Sequence, residues 1–291
     1  MRPPPPPLNS APLDPGLYVV STPIGNLRDI TLRALDILSS SDLVLAEDTR
    51  VAQKLLSVYE VSRPVERYDD HCDARVRPKV LEVLAQGGRV ALMSDAGTPL
   101  VSDPGYRLVK AAVEAGAPVY AAPGPSAALA ALAVSGLPSD RFLFAGFTPP
   151  KSTGRRAIFQ ELSSVRATLI FYETGPRLTD SLSDMLMVWG DREAVVAREL
   201  TKLYETVLRG RLSELIERLG AQAPRGEIVV LVGPGSEAPA TPADVDQALI
   251  EALSLSSLSD AAATVAKALG LNRKTVYRRA LELKSERADK E

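Results

Sequence analysis

One cysteine and one histidine, Cys72 and His71, stand in 291 residues. A single thiol excludes any disulfide within the chain, and one imidazole leaves no usual ligand set for zinc. The sequence reads as a cytosolic protein without a structural metal. Cys72 and His71 are adjacent, and neighbours on a chain seldom turn their side chains toward each other, so they are not expected to form a nucleophile and its base. Charge of one sign is missing as well: 34 basic residues against 36 acidic leave a net charge of -2. That excludes a uniformly basic nucleic-acid coat and confines any RNA or DNA contact to a local patch. Long apolar runs are absent. The stretch 117–137 is rich in alanine and is interrupted by Pro118, Pro123, Gly124 and Pro125, so a membrane span is not expected there. The amino terminus, MRPPPPPLNSAPLDPG, lacks the apolar middle of a signal peptide and reads as a disordered proline-rich tail over residues 1–16.

Glycine-rich nucleotide loops are missing too. The loop after the first strand-like run has only Gly25, which fits neither a dinucleotide fingerprint nor the loop of ordinary Rossmann methyltransferases, and no GxxxxGK[ST] pattern occurs. Kinases, NTPases and simple dehydrogenases drop out as leading readings. What the chain has is 45% hydrophobic content, enough for a real core, and a length that suggests about two domains.

The stretch that organises the rest is SDAGTPLVSDPG, residues 94–105. It follows a short apolar run, Arg89–Met93, and precedes a helix-like segment from Tyr106 to Ala115, which places it at the carboxyl end of a strand. Small ligands bind at such ends in open α/β sheets, where strand ends and helix amino termini offer unpaired backbone groups. Gly97 and Gly105 allow torsions that a Cβ forbids, and Pro99 and Pro104 stiffen the turns. Asp103 and Pro104 are expected to start the next helix, as its N-cap and first helical residue.

Strands are expected at 17–22, 43–46, 89–93 and 118–121, alternating with helices at about 31–39, after Glu47, at 73–85 and after Gly105. Such alternation implies a parallel sheet covered by helices on both faces, an amino-terminal α/β domain over residues 17–122. The pattern changes after Pro123. A small-residue helix to Ser135 leads into strand-like runs at 142–147, 168–172, 193–198, 205–208 and 227–232, and the short separation of the runs around Ala197 and Val207 predicts antiparallel pairing. These make a second α/β domain over 123–236. A linker follows at 233–239, and 237–291 form a helical segment. There Ser259-Asp260 is expected to cap one helix, Gly270 to turn, and Asn272 to cap a second helix carrying Arg273, Lys274, Arg278 and Arg279. This is the outline of a helix-turn-helix, or of a simple packing hairpin.

Charged groups collect at strand ends. Glu47, Asp48 and Arg50 face the same crevice as Ser94–Gly97 if the strands are parallel, and Asp48 also suits a helix cap. Phe171-Tyr172-Glu173-Thr174 and Arg198-Glu199-Leu200-Thr201-Lys202 end strands of the second domain. Lys151, Arg155 and Arg156 are expected in a mobile basic loop.

The motifs STPIGNLRDIT (21–31), AEDTR (46–50), SDAGTPLVSDPG (94–105), PGPSA (123–127), FYET (171–174), RELTK (198–202) and GEIVVLVG (226–233) occur in this order. Together they resemble the ribosomal RNA small subunit methyltransferase I family, 16S rRNA cytidine 2′-O-methyltransferases of the tetrapyrrole methylase superfamily. The resemblance implies a two-domain α/β fold, with a parallel-sheet first domain, a mixed-sheet second domain and a small helical carboxyl-terminal segment. It also implies S-adenosylmethionine in the cleft between the domains, a cytoplasmic homodimer, and as substrate a cytidine of the decoding centre in the small ribosomal subunit. By motif match the cofactor is expected at Pro23, Ser94, Asp95, Ala96, Gly97, Thr98, Ser126, Ala127, Phe171, Tyr172 and Leu200. The chain departs from the family where FYETGPR replaces FYESPHR and where Tyr204 stands near a position commonly held by histidine, leaving His71 as the only imidazole.

The donor's methyl is already activated, so no metal is needed, and the protein has to align the ribose oxygen and help its proton leave. Glu47, Asp48 and Glu199 are candidate bases, and Arg50 and Lys202 candidate stabilisers of negative charge. Arg28, Lys151, Arg155, Arg156, Arg273, Lys274 and Arg278 are candidate phosphate contacts. Two other readings remain open at this point: a methylase of a precorrin-type tetrapyrrole, and a DNA-binding regulator that uses the carboxyl-terminal helices.

Overall fold

The inner strands of the amino-terminal sheet are apolar on both faces, and two helical layers bury them. A computed structural model describes residues 13–220, 224–235, 242–269 and 271–288. Most of the expected proline-rich tail, residues 236–239 of the expected linker, and the turn at Gly270 lie outside the described residues. The first sheet is built from β1 (Gly16–Val20), β2 (Leu43–Ala46), β3 (Val65–Arg67), β4 (Arg89–Met93) and β5 (Val119–Ala122). It runs in the order β3-β2-β4-β1-β5, and every pairing is parallel. The helices α1 (Leu32–Ser40), α2 (Thr49–Val58), α3 (Asp73–Ala85) and α4 (Tyr106–Glu114) connect these strands. Alternate residues serve opposite faces. Val20, Val44, Ala91 and Met93 pack against Leu38 of α1 and Leu55 of α2, whereas Leu17, Leu45, Val90 and Leu92 pack against Val80 of α3 and Leu108 of α4. Because all strands run one way, the loops after β1, β2 and β4 emerge at a single edge.

Local capping fixes where these helices start. Thr31 accepts a hydrogen bond from the Ala34 N–H and starts α1, and Asp48 accepts one from the Arg50 N–H and starts α2. The expected start at Asp103 is not observed. α4 begins at Tyr106, with Gly105 as N-cap at φ 134, a torsion that cannot join the helix to the residues before it. Asp103 and Pro104 stay in the loop.

The chain then builds α5 (Ala127–Ser135), β6 (Phe142–Phe147), α6 (Ser152–Glu161), β7 (Thr168–Thr174), α7 (Gly175–Trp189), β8 (Glu193–Arg198), β9 (Thr206–Arg211), α8 (Leu212–Leu219) and β10 (Glu227–Val232). The second sheet runs β6-β7-β10-β8-β9. β6 and β7 are parallel and the other pairs antiparallel, with Ala197 opposite Val207 as the short connection predicts. One face carries Phe171 and Val230 against Phe159 of α6 and Trp189 of α7. The other carries Ile170, Ala197 and Val229 against α5 and against Ile24 from the loop after β1. That second contact joins the two sheets in one compact unit, which extends to Gly235.

A second compact unit follows, with α9 (Pro242–Leu255), α10 (Leu258–Ala268) and α11 (Arg273–Ala288) around Leu249, Val265, Val276 and Ala280. Asn272 accepts from the Lys274 N–H at the start of α11, as expected. The cap of α10 differs from expectation. Ser257 accepts from the Asp260 N–H, so Ser259 and Asp260 already belong to the first turn. Among the described residues no helix is long and apolar enough to cross a membrane.

Candidate active site

The loop at residues 94–105 is held in shape by hydroxyls that face inward. Ser94 Oγ donates to the Gly97 carbonyl at 2.7 Å, and Thr22 Oγ1 donates to the Ser94 carbonyl at 3.0 Å. Thr22 and Gly97 exchange backbone hydrogen bonds at 2.8 and 3.1 Å, and Thr98 Oγ1 donates to the Pro125 carbonyl at 3.0 Å. Gly97 adopts φ 88, and Leu100 and Ser102 adopt φ 72 and φ 64. Positive φ in residues with a Cβ is strain that surrounding packing must enforce, and it gathers at functional loops. Glu199 and Thr201, at φ 51 and φ 65, repeat the pattern in the loop after β8. Both loops border one cavity of about 370 Å³.

That cavity lies between the strand-end loops of the two sheets. Asp95, Ala96, Gly97 and Thr98 line it from the first, with Val101, Ser102 and Asp103 further along the same loop. Ser126 and Ala127, at the start of α5, and Tyr172, Ala197 and Leu200 line it from the second, together with Phe147 and Val229. Of the expected cofactor residues, Asp95 to Thr98, Ser126, Ala127, Tyr172 and Leu200 therefore meet here. Pro23 and Ser94 are buried behind the lining, and Ser94 acts on the cavity through the loop it pins. The expectation for Phe171 is corrected. Its side chain, 1% exposed, points to the opposite face, where it meets Phe159 edge to face and packs near Trp189, because adjacent residues in a strand alternate.

The charged candidates fall into two groups. Arg50 grips Asp48 at 2.6 and 3.0 Å and holds that carboxyl down at about 2, so Asp48 serves as helix cap and ion-pair partner. Lys202 Nζ lies 3.0 Å from Glu199 and 3.1 Å from Glu227. The Glu227 N–H, followed by Lys202, keeps the Glu199 carboxyl below its ordinary range. Gly226, at φ 101, leaves space that a Cβ would take from the Glu199 side chain. The Asn26 N–H donates to Thr201 Oγ1 at 3.1 Å, which ties the loop after β1 to the loop after β8.

Glu47, Asp95 and Asp103 have no ion-pair partner among the described residues. Asp95 accepts the Asp48 N–H at 3.1 Å, as expected for ends of the adjacent strands β2 and β4. Glu47 is exposed outside the lining, and partial desolvation with the neighbouring Asp95 and Asp69 pushes its carboxyl up. Burial, with the charges of Glu47 and Asp95, pushes Asp103 up to about 6. Sequence reasoning read Asp103 as a helix cap and missed it as a lining residue; the signal was a second aspartate in the same loop.

The basic residues also divide. Arg155 is corrected: it is 3% exposed, sits in helix α6, and pairs with Asp184 at 2.8 Å. Arg156 joins the same carboxylate at 2.7 Å. The expected mobile loop is thus the start of a helix, with its N-cap residue Lys151 exposed. Arg28 is exposed in the loop after β1, and Arg273, Lys274 and Arg278 are exposed on α11 of the second unit. Cys72 Sγ donates to the Arg67 carbonyl at 3.3 Å, and burial raises its thiol, the opposite of an activated thiolate. His71 is exposed, its backbone N–H bound to Asp69. Apolar walls with unpaired carboxylates make a site for an organic cation.

Residues 16–216 match the family described as tetrapyrrole (corrin/porphyrin) methylases, and residues 239–284 match the RsmI C-terminal HTH domain. The chain is 50% identical to a ribosomal RNA small subunit methyltransferase I from Mesorhizobium japonicum, over 94% of each chain. It is 53% identical to a protein so named from Erythrobacter litoralis, over 95% of this chain and 98% of that one. For the protein of that name from Escherichia coli O157:H7 the identity is 43%, over 91% and 94%. Among solved structures, uroporphyrin-III-C-methyltransferase from Thermus thermophilus superposes with a TM-score of 0.54 at 22% identity, over 75% of this chain and 93% of that one. Cobalt precorrin-4 methyltransferase gives 0.56 at 19%, over 75% and 94%. At these identities the two structures speak for the fold alone.

Proposed function

The chain belongs to the ribosomal RNA small subunit methyltransferase I family of tetrapyrrole methylases, and we propose that it methylates the 2′ oxygen of a cytidine ribose in 16S rRNA. S-adenosylmethionine is the donor, and the residues present suit it. Ile24, Ala127, Leu200 and Val229 offer an apolar wall to an adenosyl group, while Asp95 and Asp103 suit the positive charges of its sulfonium and ammonium. Bound there, the donor supplies an activated methyl. The protein's own contribution is to exclude water between the two strand-end loops, to orient the acceptor, and to take up its proton.

The observation that carries this reading is the cavity itself, closed by loops from both sheets and lined by two carboxylates, Asp95 and Asp103, that no basic side chain among the described residues neutralises. A polyanionic macrocycle would meet those carboxylates with like charge, which disfavours a tetrapyrrole acceptor. RNA would instead be drawn by basic groups outside the cavity: Arg28 and Lys151 on the first unit, and Arg273, Lys274 and Arg278 on the second. We place the reaction in the cytoplasm, on the decoding centre of the small subunit, with the enzyme acting as a homodimer. The test is transfer of tritiated methyl from S-adenosylmethionine to small ribosomal subunits, with the product nucleoside identified by mass spectrometry. A 2′-O-methylcytidine is expected; a base-methylated nucleoside, or transfer to a tetrapyrrole instead, overturns the reading.

A further inference from the structure

A ribose hydroxyl is a weak acid, and a base that receives its proton must be free to do so. Most carboxylates near the cavity are not free. Asp48 is held by Arg50, Glu199 and Glu227 share Lys202, and Glu173 is bound to Arg177 at 2.9 Å and to the hydroxyls of Thr148 and Ser181. Glu47 lies outside the lining, and Asp95 is engaged by the Asp48 N–H. Asp95 and Asp103 both stand in the cavity wall with no ion-pair partner among the described residues, and of the two only Asp95 is held by a backbone N–H. The position of Asp103 is set from both sheets. Ser102 Oγ lies 3.6 Å from where a Cβ on Gly146 would stand, so the residue before Asp103 packs against the end of β6. The next residue on β6 is Phe147, 55% exposed, which marks this side of the cavity as the rim where a polymer can enter. Positive φ at Ser102 and Gly105, 64 and 134, fixes the loop on both sides of the carboxylate.

We propose that Asp103 is the general base of the methyl transfer, accepting the proton of the ribose 2′ hydroxyl at the cavity rim. This rests on the function proposed above. The bond between the ribose oxygen and the methyl carbon forms as the carbon–sulfur bond breaks. The electron pair of that bond stays on sulfur, cancelling its positive charge, and the hydroxyl proton ends on a carboxylate oxygen of Asp103, from which water removes it. Glu47 and Asp95 face Asp103 and raise its proton affinity, the Ser94 hydroxyl lowers it, and Tyr172 stands close enough to feel its charge. A carboxyl poised near 6 is charged at neutral pH and still basic enough to take a proton.

The variant Asp103→Asn keeps size and shape and removes the base. It should lower kcat by about 100-fold or more and remove the acidic limb from the kcat profile, a loss that saturating S-adenosylmethionine does not restore. Asp103→Glu should recover part of the rate. Independently of turnover, carbon-13 NMR of labelled aspartate in the wild-type protein should show one carboxyl titrating near 6 that disappears in Asp103→Asn. The proposal is overturned if kcat is unchanged, if the acidic limb persists in Asp103→Asn, if no such carboxyl titrates, or if the variant loses donor affinity and keeps its rate at saturation. Failure of the proposed function shows earlier and elsewhere, in wild-type protein that puts no methyl on ribose, and the proposal then falls with it.

Discussion

At the edge of the first sheet Glu47, Asp95 and Asp103 end their strands or line the loop beyond without a cationic partner; Asp95 raises the proton affinity of Glu47, and both raise that of Asp103. At the edge of the second sheet Glu173 meets Arg177 at 2.9 Å, and Glu199 and Glu227 share Lys202. Away from that edge Asp184 holds Arg155 and Arg156. The first arrangement stores negative potential that a cation entering the cleft can satisfy. The second spends its charges internally, holding strained loops and a helix start in place. The two edges meet where Thr201 accepts the Asn26 N–H.

The comparison predicts opposite signs for removing an acid on each side. The largest effect is expected on the second lobe. Asp184→Ala strands Arg155, whose side chain is 4% exposed, and should cost about 3–5 kcal/mol in urea unfolding; a loss below about 1 kcal/mol would break the contrast. Next in size is Lys202→Met, which leaves Glu199 and Glu227 facing each other and should cost about 1–2 kcal/mol. If Lys202 instead stabilised charge in the reaction, kcat would fall with stability unchanged.

On the first lobe the sign reverses. Folding raises the Asp103 carboxyl from 3.8 to about 6, so between those values the folded chain holds a proton that the unfolded chain has released. Stability contributed by this group therefore falls as pH rises through that window, and the full penalty persists above it. Asp103→Asn should be more stable than wild type at pH 8 by about 1 kcal/mol, once the screening of a half-exposed group is allowed for. Below about pH 4 the two proteins should unfold alike. A variant less stable than wild type at pH 8 would show that the carboxylate supports its loop.

These contrasts also mark what could be read from the residues alone. The first sheet was legible because its inner strands are buried on both faces, so Leu43–Ala46 and Arg89–Met93 stand out as short apolar runs, and because the caps Thr31 and Asp48 act within three residues of themselves. The motif at 94–105 located the cavity. The role of Asp103 was hidden because an Asp-Pro pair looks locally like a helix start, whereas the loop answers to packing of Ser102 against β6 and to Gly105, where a Cβ would meet Leu92 and Leu100. Arg155 was hidden for a related reason: its partner Asp184 lies 29 residues away, on another helix. Phe171 was readable and was misread, since strand alternation already forbids Phe171 and Tyr172 from facing one cavity.

The smallest expected effect concerns the second compact unit, whose surface charges belong to neither edge. Val276, Ala280 and Leu283 hold α11 in the small core, and Arg279 is committed to Asp246 at 2.6 Å. Arg273, Lys274 and Arg278 are exposed on the same helix. Replacing these three with alanine therefore leaves the buried face intact and keeps good helix formers throughout. If they contact phosphates, each removes about 0.7–0.9 from the dependence of log affinity on log salt. The triple variant should then lose about 2–3 from that slope and show a raised KM for small subunits, with kcat and donor affinity unchanged. An unaltered slope and KM would assign these charges to solvent, and RNA capture would fall to Arg28 and Lys151 of the first unit.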